Sequence, residues 1–368
     1  MNFSYWEVDF RLKNVDFLIV GAGIVGLSSA FHIKKRFPDA KVLVVERDFI
    51  SAGASSKNAG FACFGSPSEI LDDVENNGWE SAMSTVRFRM EGLELLKQYV
   101  PFAQMDGFLN DGYEIFQKED SVLLENVKDR WSELERSCLD YLGQMPFLFS
   151  KDQWGLKHLE AVIRIKGEGI LHPARMLGAW QELCRKVGVD IIYGLNIDDL
   201  DVQTGIVQIR QHEFSPKKIV LCTNGLTNSL FKGLDVIPAR NQVLITHEIL
   251  KEPWNCSFHQ RQGYIYFRSV GKRILIGGGR DLFKEMEYTD SLDINEEIIQ
   301  YLRRHLEGLI GIDDFQIEHR WSGIMGLGNT KGPIIQKVSD HVFAAVRMGG
   351  MGVAIGTAVG KQLAAIME

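Results

Sequence analysis

Three glycines and one carboxylate carry the first chemical signal in this chain. Gly21, Gly23 and Gly26 stand in G-x-G-x-x-G spacing directly after the apolar run Phe17 to Val20, and Ile24 to Lys35 reads as a helix. In that setting the first glycine allows a tight turn, the second admits a pyrophosphate to the backbone, and the third lets helix and strand pack closely. The helix opens at Ile24 and Val25, where free amides and the helix dipole face the phosphate charge. A second strand, Lys41 to Val45, ends in Glu46. That is close to the ~20-residue spacing of a carboxylate that takes ribose hydroxyls. The combination predicts a dinucleotide site. Glu46 would repel a 2′-phosphate, with only the adjacent Arg47 working against that exclusion.

Two further segments suit a flat ring. Ser51 to Gly65 is unusually rich in small residues, and Ala54, Ser55, Ser56, Lys57, Asn58, Ala59 and Gly60 would let a ring lie against backbone whose amides donate to it. Near the C-terminus, Gly349, Gly350, Met351 and Gly352 precede a last helix from Val353. Its N-terminus carries roughly half a positive charge, which would stabilise an anion forming on such a ring. Tyr264 and Tyr266 alternate along one strand and so share a face.

Positioning these groups takes several elements. Helical periodicity runs over Trp79 to Tyr99, Ser121 to Tyr141, Pro173 to Val187 and Asn295 to Leu309, with a further helix start at Ser66 to Glu69. Gly112 to Gln117, Asp190 to Tyr193, Gly205 to Arg210 and Lys218 to Cys222 read as strands, the last ending in Thr223, Asn224 and Gly225. From Pro238 to Gly279 the pattern becomes antiparallel: Gln242 to Glu248, Tyr264 to Arg268 and Arg273 to Gly277. A strand His341 to Val346 precedes the last helix. Alternating βα units at both ends with an antiparallel middle predict an α/β chain, α+β overall. The expected fold is a split Rossmann-type domain of residues 1–75, 155–235 and 320–368, carrying an inserted antiparallel-sheet domain of residues 76–154 and 236–319.

Composition narrows the partners. With 368 residues, 45% of them apolar, the chain can bury a full core. A net charge of −7 without a basic tract argues against nucleic acid. Cys63, Cys138, Cys184, Cys222 and Cys256 are scattered and form no C-x-x-C, as expected of free thiols in a reducing compartment. The N-terminus lacks a signal-peptide pattern. Val342 to Met367, the most apolar late stretch, is interrupted by Arg347, Lys361 and glycines, so no membrane span is expected and a cytoplasmic location is. His247, His259 and His319 are isolated without metal-ligand spacing, and no metal site is expected.

Taken in order, these segments resemble the FAD-dependent oxidoreductases of the D-amino acid oxidase superfamily, which includes glycine oxidase and sarcosine oxidase. Gly53 to Gly60 is similar to the family's G-A-S-x-x-N-A-G segment, which passes the pyrophosphate and reaches the flavin. His172-Pro173 opens the returning helix, Pro238 to Gln242 is similar to P-x-R-G-Q, and Tyr264 to Arg268 and Ile276 to Arg280 match substrate-domain strands. Trp321 to Gly326 stands where the family has W-A-G-L-R-P. The resemblance covers nearly the whole chain. It implies a noncovalent FAD, and a small-molecule amine, amino acid or 2-hydroxy acid as substrate. A flavin-binding protein with a degraded site is the nonenzymatic alternative.

The flavin would carry the redox step, the substrate C–H leaving as hydride to N5, so no strong protein base is obligatory. The departure from the family is Met325, which occupies the position of its carboxylate-binding arginine. Arg268, Arg280 and Arg347 are the possible replacements, since a guanidinium suits a carboxylate. Tyr264, Tyr266, Arg268 and Met325 are therefore the expected substrate-pocket residues. Cys63 lies in the flavin-approaching segment as a small buried residue. Sarcosine-oxidase-like members place a lysine in the strand resembling Arg273 to Gly277. Here Ile274, Leu275 and Ile276 are the expected inward residues, so dehydrogenase is expected rather than oxidase.

Overall fold

The structure, a computed structural model, describes residues 3–367. Phe17–Val20 and Val42–Val45 are unbroken apolar runs, and both are fully buried. Such runs belong to parallel strands covered on both faces. They lie in a six-stranded sheet ordered Ile334–Lys337, Val342–Val346, Lys218–Leu221, Phe17–Val20, Val42–Val45, Asp190–Ile192. Every neighbour is parallel except the first pair. Alternate side chains enter two different cores: Phe17, Ile19, Val42 and Val44 one, Leu18, Val20, Leu43 and Val45 the other. The helices Ile24–Arg36, Pro173–Lys186 and Gly352–Ile366 share the first core.

A second sheet of eight strands runs Ile317–Leu327, Ile237–Thr246, Arg273–Gly278, Ile265–Val270, Ser257–Gln260, Gly112–Gln117, Leu159–Ile165, Phe147–Ser150. It is antiparallel apart from the parallel pair Ser257–Gln260 and Gly112–Gln117. Leu244, Phe258, Phe267, Ile274 and Ile276 point from one face onto the helix Glu296–Ile310. The other face turns toward the six-stranded sheet.

Several expectations change. The expected helix start at 66–69 and helix at 79–99 lie on either side of Gly78, which breaks the run Pro67–Tyr99 with a non-helical φ of 78° that glycine adopts readily. The expected helix at 121–141 is two, Ser121–Asp129 and Trp131–Leu142. Leu159–Ile165 and the whole of Ile317–Leu327 belong to the eight-stranded sheet, which therefore extends past the expected boundaries at 155 and 320. Ile274 and Ile276 face the far core, and period-two alternation leaves Leu275 as the inward residue of its strand. Among the described residues no helix is long and apolar enough to cross a membrane.

Candidate active site

Between the sheets lies one long cavity of about 600 Å³. Its floor is the turn after Phe17–Val20. Gly21 has φ 105°, and a Cβ there would sit 3.0 Å from the Cys222 carbonyl oxygen. A Cβ on Gly26 would lie 1.9 Å from the Gly21 oxygen, so Gly26 serves helix–strand packing and does not line the cavity. The helix from Ile24 has no side-chain cap of its own, and Ile24 N–H donates to Ser55 Oγ at 3.0 Å. Glu46 lines the cavity while its carboxylate accepts from the amides of Ala22 (3.0 Å) and Asp48 (3.3 Å). Burial raises the Glu46 carboxyl above its ordinary value, and those two amides offset part of the rise. A buried acceptor beside a helix N-terminus whose own cap residue is glycine, with a glycine cradle before it, fits the adenosine and pyrophosphate of FAD.

The small-residue segment is a short helix, Ala54–Lys57, running into extended backbone. Asn58 braces it from within: Nδ2 donates to the carbonyls of Ala54 and Ser55, and Oδ1 accepts from Gly60 N–H at 2.8 Å. Two side chains of the eight-stranded sheet hold it from outside. Trp321 Nε1 donates to the Lys57 carbonyl at 2.9 Å, and Arg268 Nε donates to the Ala59 carbonyl at 2.6 Å. Ala54, Ser55, Lys57, Asn58 and Ala59 line the cavity, whereas Ser56 and Gly60 do not. Opposite them, Thr223, Asn224, Gly349, Gly350, Met351, Gly352 and Val353 form the other wall. Gly225 packs behind, where a Cβ would meet the Met325 carbonyl at 2.3 Å. Asn224 Oδ1 accepts from the amides of Arg347 and Met348, both at 3.1 Å, which fixes the entry to the last helix.

The far end of the cavity is built by one transverse row of the eight-stranded sheet. Trp321, Val243, Gly277, Tyr266, His259 and Glu114 pair in succession across it. Directly paired residues share a face. Gly277 gives the Tyr266 ring its room, since a Cβ there would sit 2.6 Å from that ring. Tyr266 Oη accepts from Asn241 Nδ2 at 2.9 Å, and burial pushes the phenol above its ordinary value. Tyr264, Tyr266 and Met325 all line the cavity. Met325 Sδ lies 3.4 Å from where a Gly350 Cβ would stand.

The arginines separate by what already occupies them. Arg268, expected in the substrate pocket, does not line the cavity: besides Ala59, its Nη2 donates to the Leu171 carbonyl at 3.1 Å. Burial without a carboxylate partner lowers its guanidinium to about 10. Arg347 is held by Asp235 at 2.6 Å and by Gly332 and Thr330. Arg280 does line the cavity, its guanidinium 5.8 Å from the Tyr264 ring centroid, and it makes no ion pair among the described residues.

His259 is not isolated in space. Its Nε2 lies 2.8 Å from Glu168 Oε2, and Cys63 Sγ completes a group whose atoms lie within 4.8 Å of one another. Glu168 Oε1 accepts from Phe64 N–H at 2.9 Å, so both carboxylate oxygens are engaged in hydrogen bonds. The strand position Gly112 makes this possible, because a Cβ there would sit 2.1 Å from Glu168 Oε2. Around the pair lie Glu114, which burial raises to about 7 despite bonds from Ser66 and Ser68, and Glu69, bridged to Arg89 at 2.8 Å. Burial works to raise Glu69, but Arg89 and then Lys331 outweigh it, and its carboxyl sits below the ordinary range. Cys63, Glu69, Arg89 and His259 line the cavity. Sequence reading missed this cluster because its members come from four separated segments. The one local hint was Glu168 between Gly167 and Gly169, a turn placing a carboxylate with little steric cover.

Residues 16–366 match the profile of a family described as FAD dependent oxidoreductase (DAO). The chain is 22% identical over 370 residues to gamma-glutamylputrescine oxidoreductase of Escherichia coli (strain K12), covering 96% of this chain and 83% of that one. Its structure is similar to that of L-proline dehydrogenase from P. horikoshii, with TM-score 0.75 and 16% identity over 95% of this chain and 92% of that one. Glycine oxidase from Geobacillus kaustophilus gives TM-score 0.72 and 17% identity over 96% of this chain and 95% of that one.

Proposed function

Because this chain belongs to the FAD dependent oxidoreductase family, it is a flavoenzyme, and we propose that it oxidises the C–N bond of an amino acid or another carboxylate-bearing amine. FAD, when bound, supplies the acceptor for the hydride that leaves the substrate carbon. The chain's own residues supply the rest. Glu46 and the amides after Gly23 hold the adenosine and pyrophosphate, and residues 54–60 and 349–353 flank the ring.

The observation carrying this reading is Arg280, which makes no ion pair among the described residues and lies on the cavity wall with Tyr264 and Tyr266. A guanidinium without a carboxylate of its own suits the carboxylate of a substrate. Met325 adds an apolar, adaptable surface next to it, which favours a substrate larger than glycine. The related gamma-glutamylputrescine oxidoreductase and glycine oxidase support the choice of nitrogen over oxygen as the oxidised heteroatom.

The flavin is held without a covalent bond. Burial, followed by the charges of Glu168 and Glu69, pushes the Cys63 thiol well above its ordinary value, and the thiolate is the nucleophile that attachment needs. The electron acceptor is other than oxygen. Leu275, the apolar residue of its strand that packs with Ala59 and Val243, brings no charge to the site, Arg273 is tied to Glu248 and Glu318, and Arg280 is neutralised by the substrate. The test is an anaerobic panel of amines, D- and L-amino acids and 2-hydroxy acids mixed with the holoenzyme. Bleaching of the flavin by an amino acid is expected. Bleaching by 2-hydroxy acids alone, or by nothing, overturns the reading.

A further inference from the structure

We propose that His259, oriented by Glu168, is the base that takes the proton from the substrate nitrogen before the C–N bond is oxidised. The inference rests on the functional reading above and extends it to a buried residue pair on the cavity wall. Two observations and one consequence of imidazole chemistry support it. His259 lines the cavity in the same transverse row as Tyr266, and the Phe61 ring packs edge-on to both, at 5.5 and 5.6 Å between centroids. Its Nε2 is tied to a carboxylate that is fully buried and reaches it only because residue 112 is glycine. An imidazole whose Nε2–H donates to a carboxylate carries its lone pair on Nδ1, the arrangement in which a carboxylate orients a histidine base.

The step balances as a proton transfer. An ammonium N–H bond breaks, its electron pair stays on nitrogen, and the proton bonds to Nδ1, giving a neutral amine and an imidazolium beside Glu168. The amine lone pair is then available to form C=N as the C–H bond is lost. Without this step the nitrogen lone pair is occupied and oxidation is blocked.

The charged neighbours set the pH at which the base works. Glu168 faces the ring from the turn after Leu159–Ile165, Glu114 from Gly112–Gln117, and Cys63, Glu69 and Arg89 from the segment leading into and along Pro67–Tyr99, with Lys331 behind them. Burial works to lower the imidazolium, but Glu168, by charge and hydrogen bond, then Glu69 and Glu114, outweigh it, so His259 titrates above 6.5. Below that value it already holds its proton and cannot accept another.

The test is the rate of anaerobic flavin bleaching across pH by whichever amine or amino acid of the panel reduces the wild type fastest. It is measured in wild type, His259→Gln, Glu168→Gln and His259→Gly with added imidazole. The wild-type rate should rise with pH through a limb above 6.5. His259→Gln should keep its flavin, lose that limb and slow by about 10²–10⁴-fold. Glu168→Gln should move the limb to lower pH, and free imidazole should restore part of the rate to His259→Gly. NMR titration of labelled histidine in the holoenzyme should follow the same shift in Glu168→Gln. A His259→Gln enzyme with wild-type rate and profile overturns the base while leaving the functional reading standing. A wild type that no amine bleaches overturns both.

Discussion

Glu46 couples cofactor affinity to pH through a single carboxylate. A charge-assisted hydrogen bond contributes about 1.5–3 kcal/mol, so Glu46→Ala should weaken FAD binding roughly tenfold or more, read by ultrafiltration of free flavin. Because burial raises this carboxyl above 4.5, wild-type affinity should begin to fall at higher pH than an exposed glutamate would give. The charged acceptor is present above the raised value and lost as pH drops through it, and Glu46→Gln should be flat over the same range. Arg280→Met should raise KM for amino acids roughly tenfold to hundredfold, the loss of one charge-assisted pair, while leaving flavin content unchanged. Glycine and sarcosine should be poor substrates, and Met325→Arg should improve them; rapid bleaching of the wild type by glycine would contradict this. At this scale the sequence was readable wherever spacing is dictated by the ligand, as for Gly21, Gly23 and Glu46. It placed Arg268 in the pocket ahead of Arg280 and Arg347, whereas of the three only Arg280 lines the cavity. Which guanidinium is free depends on the carbonyls of Ala59 and Leu171 and on Asp235, all distant in sequence.

Residues 54–60 belong to the nucleotide-binding half yet are fastened by Trp321 and Arg268 from the other sheet. Arg268→Leu should leave the Ala59 and Leu171 carbonyls unpaired, at about 1–3 kcal/mol for such a buried group. Thermal unfolding should show a lower Tm, with flavin released earlier than the chain unfolds. Equal melting of wild type and Arg268→Leu, with and without added FAD, would contradict this. The helices Ile24–Arg36 and Gly352–Ile366 meet through small residues: a Cβ on Gly360 would lie 2.6 Å from Ser28 Cβ, and one on Gly356 2.6 Å from Ile24 Cγ2. Gly360→Val should therefore cost about 1–3 kcal/mol by overpacking. Elements with strong periodicity, such as Pro173–Lys186, were legible in the sequence to within a residue or two. Ile317–Leu327 was not, because Ser322, Gly323 and Gly326 dilute its alternation; its partner Ile237–Thr246 supplies the ladder that makes it a strand.

Across the whole molecule, residues of both large sheets line one cavity, so it exists only where the two halves meet. That division was visible as parallel-type apolar runs at both ends of the sequence and alternating strands in the middle. The buried Glu168–His259 pair was not, since it forms only when the turn after Leu159–Ile165 folds against Ser257–Gln260. Reoxidation after bleaching should be fast with a quinone or dye and slow with oxygen, and near-turnover reoxidation by oxygen would replace dehydrogenase with oxidase. Acid precipitation should give a colourless pellet and a yellow supernatant; flavin kept in the pellet would implicate Cys63. The central claim is that bound FAD accepts a hydride from carbon next to nitrogen, and a single anaerobic turnover tests it most directly. Carbonyl product and released ammonia or amine are counted against flavin reduced. The account predicts one of each per flavin, formed from an amino acid. Carbonyl without released nitrogen, formed from a 2-hydroxy acid, would contradict it.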